Sequence, residues 1–278
     1  MCGIFFSCSR KVHECPSDRL LECLNKRGPD SICTIKRALD SENASSQGLP
    51  SEQRKQSYFL TFLSTVLSLR GDGVTRQPLE DLDSGSLLCW NGEAWKAGNE
   101  VIDGNDSQRV FDLFLKAIQY LEPTSSNTPF SYDQYMESII DAVASISGPY
   151  SFVFYDAPHQ RIFFGRDTLG RRSLAIKNGL PESISISSIC DCTDTGNWTE
   201  VEADGIYMLD LQTASPSPED EAEEITFIPR ILSGSNTELR YTLVRLNPPL
   251  LLLKTLTNAR HRHSHFSITT IRVLRVRL

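Results

Sequence analysis

The stretch Met1-Cys2-Gly3-Ile4 opens the chain, and the apolar residues after it predict a short buried strand from Ile4 to Cys8. Because cysteine is small, a methionine aminopeptidase is expected to remove Met1 and leave Cys2 with a free α-amine. An α-amine has a pKa of about 7.7–8, so a good fraction of it is uncharged near neutral pH. Such an amine can take the proton of its own thiol and create a nucleophilic thiolate, as in N-terminal threonine hydrolases. The alternative is that Cys2 is chemically silent, and the rest of the sequence has to decide between the two.

Beyond this first strand, the sequence alternates between strand patterns and helix patterns. Ser17 is predicted to cap a helix that ends before Gly28. Two amphipathic helices follow, one beginning at Asp106 or Ser107 and the other carrying Tyr135 and Ile139 at helical spacing. Strand patterns stand on both sides of these two helices, and most of their connections are hairpin-like. One of these strands, Ser86 to Trp90, is predicted to end at a turn formed by Asn91-Gly92. The pattern therefore predicts an α+β fold with largely antiparallel sheets rather than a doubly wound parallel sheet.

Four further motifs follow Cys2 in one order, and the set is more specific than any of its members. They are Arg27-Gly28-Pro29-Asp30, Gln77-Pro78-Leu79, Trp90-Asn91-Gly92-Glu93 and Gly165-Arg166-Asp167 with Gly170. Together with the N-terminus, they resemble the class II glutamine amidotransferase domain of the asparagine synthetase family over about residues 2 to 211. Two finer motifs, at 105–108 and 170–174, are similar to one branch of it, the asparagine synthetase domain-containing protein 1 group.

The resemblance implies a fold, an activity and a set of site residues. The fold would be a four-layer αββα sandwich of the N-terminal nucleophile hydrolase type, and the activity the hydrolysis of glutamine to glutamate and ammonia. Cys2 would be the nucleophile, with the Asn91 side-chain amide and the Gly92 backbone N–H as donors to the oxyanion. Glu93 and Asp106 would hold the α-ammonium group of the substrate. The purely structural alternatives are a turn glutamate and a helix N-cap.

The sequence departs from the family pattern at one position. The family binds the substrate α-carboxylate with an arginine eleven residues before the Gln of Gln-Pro-Leu, and here Val66 occupies that position. Arg70 lies four residues later and is the candidate substitute. Without a bidentate arginine at 66, we expect weaker glutamine binding than in the family. The alternatives are a catalytically weak or silent amidotransferase-like domain that acts as an interaction module and, less favoured in the context of Asn91 and Gly92, a hydrolase of another amide.

Arg166 and Asp167 are predicted to pair with each other and to link two strands, as a marker of the fold more than as catalytic groups. In the same region, Arg171 and Arg172 have two interpretations. They are either a solvated basic loop or part of a passage from the amidotransferase site toward a partner domain.

The net charge of −7 is unevenly divided along the chain. Eight of the 28 Lys and Arg residues and none of the 35 Asp and Glu residues lie in 239–278, so the other 20 basic residues leave 1–238 with a net charge of −15. We expect an amidotransferase domain at 2–214, an acidic linker at 215–238 and a basic tail at 239–278. The tail has three interpretations: a segment for anionic surfaces, the start of a synthetase domain, or a truncated or irregular remnant, which we favour.

The sequence predicts neither a cofactor nor a metal site. Ser233-Gly234-Ser235-Asn236 lacks the second glycine and the acid of the Ser-Gly-Gly-x-Asp-Ser loop that marks a synthetase domain. No apolar run approaches the roughly 20 residues of a membrane helix. With no signal peptide and eight cysteines suited to a reducing compartment, the expected location is cytoplasmic. The expected partners are glutamine as substrate and either a separate synthetase or a second copy of the chain, whereas nucleic acid is not expected.

Overall fold

Two antiparallel sheets and three helices make up the domain in the computed structural model, which describes residues 1–40, 57–119, 132–179, 183–191, 198–211, 225–229 and 244–246. The strands in chain order are β1 (Gly3–Ser9), β2 (Ser31–Asp40), β3 (Ser57–Val66), β4 (Leu79–Glu80), β5 (Leu87–Gly92), β6 (Lys96–Ala97), β7 (Glu100–Val101), β8 (Tyr150–Asp156), β9 (Arg161–Arg166), β10 (Ala175–Gly179), β11 (Ser183–Ser187), β12 (Trp198–Glu200), β13 (Gly205–Asp210), β14 (Ile225–Pro229) and β15 (Val244–Leu246). The helices are α1 (Asp18–Arg27), α2 (Ser107–Gln119) and α3 (Tyr132–Ala144).

The first sheet has the strand order β12-β10-β11-β1-β3-β2, and the second has the order β15-β14-β13-β9-β8-β5-β4. All neighbouring strands described in these two sheets are antiparallel, as the sequence predicts. Strands β6 and β7 form a separate hairpin. The N-terminal strand β1 is internal to its sheet, between β3 and β11, so the residue before it is held at a fixed place.

The two sheet faces that pack against each other both contribute apolar side chains to a common core. Its buried side chains from the first sheet include Ile4, Phe6, Leu60, Phe62 and Ile186, and those from the second sheet include Cys89, Val153, Ile162 and Phe164. Because successive side chains of a strand point to opposite faces, the remaining residues of β1 and β5 face the helices. This alternation lets each sheet pack against the other sheet on one side and against a helix layer on the other.

Helices cover the outer faces of both sheets. Leu20 and Leu24 of α1 pack against Phe5 and Leu63 on the first sheet. Helices α2 and α3 cover the second sheet through a second buried cluster, which includes Val110, Phe111, Phe114, Tyr135, Ile139, Trp90, Phe152 and Phe154. The layers thus follow the order helix, sheet, sheet, helix, and the predicted four-layer αββα arrangement is confirmed. None of the three described helices has the length and apolar character to cross a membrane.

Local signals account for the start of two of these helices. Ser17 is the N-cap of α1, and its hydroxyl accepts a hydrogen bond of 3.2 Å from the Leu20 N–H. Helix α2 begins at Ser107, where the Asn105 side chain accepts a bond of 3.0 Å from the Ser107 N–H. The carboxylate of Asp106 is therefore left for contacts outside its own helix.

Two segments at the C-terminal side join the second sheet. Strand β14 pairs with β13, and strand β15 pairs with β14. Part of the segment predicted as a linker, 215–238, and part of the predicted tail, 239–278, are therefore strands. The rest of both segments lies outside the described residues.

Candidate functional site

One cleft, at the edge where β1 begins and β5 ends, is lined by all six residues that the sequence analysis selects. These residues are Cys2, Arg70, Asn91, Gly92, Glu93 and Asp106. They come from four separate parts of the chain, which the two packed sheets and the first turn of α2 bring together. The cleft also receives Gln77, Trp90 and Arg172.

Cys2 lies directly before β1, where its neighbour is locked in place. The Gly3 N–H donates to the Thr65 hydroxyl at 3.1 Å, and that hydroxyl donates to the Leu24 carbonyl at 2.7 Å. A Cβ on Gly3 would lie only 2.4 Å from Thr65 Oγ1, so the close approach of β1 and β3 requires glycine here. The backbone that carries Cys2 is thereby fixed from both sides.

The thiol of Cys2 is half-buried and donates to the Leu67 carbonyl at 3.9 Å. Burial raises the pKa of this thiol above its ordinary value. Burial also lowers the pKa of the Met1 amine, and the positive charges of Arg27 and Arg172 act in the same direction. A thiol in this setting needs a base at hand to become a nucleophile.

Asn91 and Gly92 are the last two residues of β5, so the predicted turn at this dipeptide is wrong. Asn91 is 1% exposed, and its amide Nδ2 has no hydrogen-bond partner in the described part of the chain. A Cβ on Gly92 would lie 2.6 Å from the Trp90 ring and 2.8 Å from Tyr150 Cβ, so glycine is required because space is lacking and not because of a turn. A buried amide donor without a partner is rare, and at a cleft it is typical of a group that serves a ligand.

Asp106 reaches back from the start of α2 to the end of β5. Its Oδ2 accepts hydrogen bonds from the Trp90 indole at 3.0 Å and from the Ala94 N–H at 2.6 Å. Burial raises the pKa of this carboxyl above its ordinary value, against the effect of these two donors. The Asp106 carboxylate therefore does not serve only as a helix cap, because it accepts from Trp90 and Ala94. It is the backbone carbonyl of Asp106 that accepts the first hydrogen bond of the helix, from the Val110 N–H at 2.9 Å.

Gln77 connects the same two elements from inside the wall. Its Oε1 accepts from the Trp90 N–H at 2.7 Å, and its Nε2 donates to the Ser107 hydroxyl at 3.2 Å. The residue is buried, at 2% exposure, so both polar ends of the side chain are satisfied internally. Gln77 is therefore a positioning residue for β5 and α2.

Arg70 lies in the cleft, but its guanidinium binds the protein backbone. Its Nη1 donates to the Ala94 carbonyl at 2.9 Å and its Nη2 to the Ile102 carbonyl at 3.0 Å. Val66, at the family's arginine position, is buried at the end of β3. Neither Arg70 nor Val66 therefore has a guanidinium that is free of backbone contacts and available for a substrate α-carboxylate.

Glu93 forms an ion pair with Arg172 across the cleft, with 3.0 Å between Oε1 and Nη2. The loop that carries Arg172 is held by Arg166, whose Nε donates to the Arg172 carbonyl at 2.6 Å. The predicted pairing of Arg166 with Asp167 is wrong. Arg166 pairs with Glu200 at 2.5 Å, and Asp167 pairs with Arg171 at 2.9 Å. Gly170, which has a positive φ, lies between Asp167 and Arg171 in the chain.

Within the described ranges, no group of three or more His, Cys, Asp or Glu side chains is arranged to hold a metal ion. The polar groups of the cleft are instead amide, carboxylate, guanidinium and thiol. Such a set suits an organic substrate that carries both charges and an amide.

This chain is 33% identical over 223 residues to asparagine synthetase domain-containing protein 1 of Bos taurus, a match that covers 78% of this chain and 30% of that protein. The protein of the same name from Homo sapiens is 31% identical over 215 residues, with 76% of this chain and 28% of that protein covered. The chain is a homologue of this group. It spans about 30% of the length of these relatives, within the part that they share.

The chain matches no protein-family model. Among solved structures, it is similar to the glutamine phosphoribosylpyrophosphate amidotransferase of B. subtilis, with 14% identity, 76% of this chain and 47% of that chain covered, and a TM-score of 0.42.

Sequence reasoning missed two side chains of the cleft. Gln77 was visible only as part of a Gln-Pro-Leu motif, and nothing in the motif shows that its side chain ties Trp90 to Ser107. Arg172 was interpreted as part of a solvated basic loop or of a passage from the site, and its contact with Glu93 was not predicted because it joins positions 79 residues apart. Both contacts depend on how distant segments of the chain pack together, which no local pattern shows.

Proposed function

We propose that this domain hydrolyses the side-chain amide of glutamine, with Cys2 as an N-terminal nucleophile. The observation that carries the proposal is the Asn91 amide, a buried donor at the cleft with no partner in the described ranges. A donor left without a partner costs free energy unless a ligand group completes it. The oxyanion of a tetrahedral intermediate is such a group, and Cys2 lines the same cleft.

The reaction begins once Met1 has been removed and the α-amine of Cys2 is free. The amine takes the thiol proton, and the thiolate adds to the amide carbon of glutamine. The oxygen becomes an oxyanion that Asn91 Nδ2 and the Gly92 N–H stabilise. The carbon–nitrogen bond then breaks, the amine returns its proton to the leaving nitrogen, and ammonia departs. Water hydrolyses the resulting thioester to glutamate and restores the thiol.

Glu93 and Asp106 bind the α-ammonium group of the substrate in this proposal. Both carboxylates line the cleft. The Trp90 indole and the Ala94 N–H both donate to Oδ2 of Asp106 and so fix the orientation of this carboxylate. The sequence predicts Arg70 as the partner of the α-carboxylate. Its two contacts with main-chain carbonyls support a further part for it in shaping the segment from Ala94 to Ile102.

We further propose that the released ammonia serves asparagine formation in the cytoplasm, with a synthetase unit as its acceptor. The relation to asparagine synthetase domain-containing proteins supports this assignment. Such a unit would be part of a longer chain, a separate protein or a partner copy.

The test is glutamate release from glutamine by purified protein whose N-terminus has been shown by mass spectrometry to be Cys2. We expect hydrolysis by this protein and none by Cys2→Ala. Cys15→Ala is the matched control, since Cys15 is exposed and lies outside the cleft, and it should retain full activity. Hydrolysis that persists in Cys2→Ala would refute the proposed mechanism.

A second candidate function is a catalytically weak or silent domain that acts as an interaction module. The observation in its favour is Val66, a buried apolar side chain at the family's arginine position. Absence of glutamate release by the mature protein, together with no loss of partner binding in Cys2→Ala, would support this alternative.

A further inference from the structure

The cleft has a second guanidinium besides that of Arg70. Arg172 lines the cleft together with Cys2 and Glu93. Its Nη2 donates to Glu93, whereas its Nε is buried and has no hydrogen-bond partner in the described part of the chain. In contrast, Arg70 donates through both of its Nη atoms to backbone carbonyls. Arg172 thus has a buried donor, its Nε, for which the described part of the chain supplies no acceptor.

The loop around Arg172 is rigidly supported. Arg166, 7% exposed, donates from Nε to the Arg172 carbonyl and from Nη1 to the Val201 carbonyl at 3.0 Å. Arg166 also contacts the Gly170 carbonyl. A Cβ on Gly170, whose φ is +61°, would lie 2.9 Å from Arg166 Nη2, so the chain is closely packed on this arginine. Arg172 therefore enters the cleft from a fixed backbone, as a residue that selects a substrate must.

The charge at this end of the cleft also favours an anion. Burial is the main cause that lowers the pKa of the Met1 amine, and the positive charges of Arg27 and Arg172 both lie close enough to lower it further. The contacts described for Arg27 are with neutral groups, the Ser188 carbonyl at 2.7 Å and the Ser173 hydroxyl at 3.0 Å. The two guanidinium groups are thus near each other, and the one carboxylate described as paired with Arg172 is that of Glu93. A carboxylate bound here would offset this positive charge.

We propose that Arg172 binds the α-carboxylate of the substrate, beside Glu93, which binds the α-ammonium group. This assignment rests on the proposed glutamine hydrolysis and identifies the residue that replaces the missing arginine at position 66. An α-amino acid carries its two charges on one carbon, so a carboxylate and a guanidinium 3.0 Å apart match both charges at once. The direct ion pair holds the two side chains in place until the zwitterion enters and binds each of them. The cleft thereby selects free amino acids over amides that lack the carboxylate.

The experiment measures binding and not turnover, so it does not depend on the nucleophile. Cys2→Ala protein is titrated with glutamine and with 4-aminobutanamide, the same molecule without its α-carboxylate, by isothermal calorimetry. Each titration is repeated in the Arg172→Ala, Arg172→Lys, Arg70→Ala and Arg109→Ala backgrounds. Arg109 is exposed on α2 outside the cleft and is the matched control for loss of a guanidinium.

We expect Arg172→Ala to weaken glutamine binding by about 10- to 100-fold, the range for one lost charge-assisted contact, while 4-aminobutanamide binding stays within about twofold. Arg172→Lys should fall between, because lysine keeps the charge but not the fork of donors. Arg109→Ala should leave both affinities unchanged. Circular dichroism of each variant confirms that it is folded.

Glutamine binding that is unchanged in Arg172→Ala would overturn the assignment, and so would loss of glutamine and 4-aminobutanamide binding together. Selective loss in Arg70→Ala, with Arg172→Ala unaffected, would transfer the role to Arg70 and also overturn it. If glutamine binds with the expected dependence on Arg172 but the mature protein releases no glutamate, only the proposed catalytic function fails. The two hypotheses therefore fail separately.

Discussion

The indole Nε1 of Trp90 donates a hydrogen bond of 3.0 Å to Oδ2 of Asp106. The contact joins the end of β5, which carries the predicted oxyanion donors, to the start of α2, which carries a predicted ammonium-binding carboxylate. Both partners are buried, at 1% and 5% exposure. A shift of either element would therefore move both halves of the candidate site together, and the bond fixes which oxygen of Asp106 remains for a ligand.

This relationship predicts a particular pH dependence. Burial raises the pKa of Asp106 above its ordinary value of 3.8, and the Trp90 donor opposes that rise. Because only the ionised carboxylate binds an ammonium group, glutamine binding should weaken as the pH falls through this raised pKa. In Trp90→Phe the donor is lost, so the acid limb of KM against pH should move to higher pH. An acid limb that stays in place would contradict the role given to Asp106.

Asn91→Ala should separate catalysis from stability. Removal of one oxyanion donor typically lowers kcat by about 10²- to 10³-fold. Since the Asn91 amide nitrogen has no partner to lose in the described part of the chain, the thermal stability of the variant should match or exceed that of the parent. The measurements are kcat at saturating glutamine and the midpoint of thermal unfolding. A large loss of stability would show instead that Asn91 is a structural residue.

Gly92→Ala should abolish activity and destabilise the domain. The added Cβ would meet the Trp90 ring at 2.6 Å, and the ring is held by Asp106 and cannot withdraw cheaply. Overpacking of this kind costs about 1–3 kcal/mol in the free energy of unfolding. Gly73→Ala is the control, because a Cβ there meets nothing within 4 Å. Denaturant titration of both variants should show a loss only at position 92, and equal stabilities would contradict the described packing.

The fold class and the candidate site were predictable from the sequence to different depths. Short apolar runs mark β1 and β5 and helical spacing marks α2, so an α+β class with antiparallel sheets followed from local patterns. The four-layer arrangement was implied by the family resemblance. The ordered motifs placed Cys2, Asn91 and Asp106 in one site, and the structure brings them to one cleft. Local patterns do not show where a long side chain ends, and this is why Arg70 was expected to face a substrate while it binds two backbone carbonyls.

The dipeptide Asn91-Gly92 shows the same limit in another form. Its composition is typical of a turn, and the sequence analysis placed the end of the strand before it. In the structure the strand continues through both residues, paired with Ser151 and Tyr150 of β8. The need for glycine comes from the Trp90 ring and from Tyr150, which are neighbours only in the folded sheet. A tertiary contact thus decides a choice that looks local in the sequence.

The central claim is that Cys2 is the nucleophile, and one measurement tests it most directly. Mature protein with Cys2 at its N-terminus is treated with a glutamine-like diazoketone, digested and mapped by mass spectrometry. We predict one covalent label per chain, on Cys2, and protection from labelling by excess glutamine. The other cysteines, including the buried Cys8 and Cys89 and the exposed Cys15, should remain unlabelled. No label, or a label on another cysteine while Cys2 stays unmodified, would contradict the account.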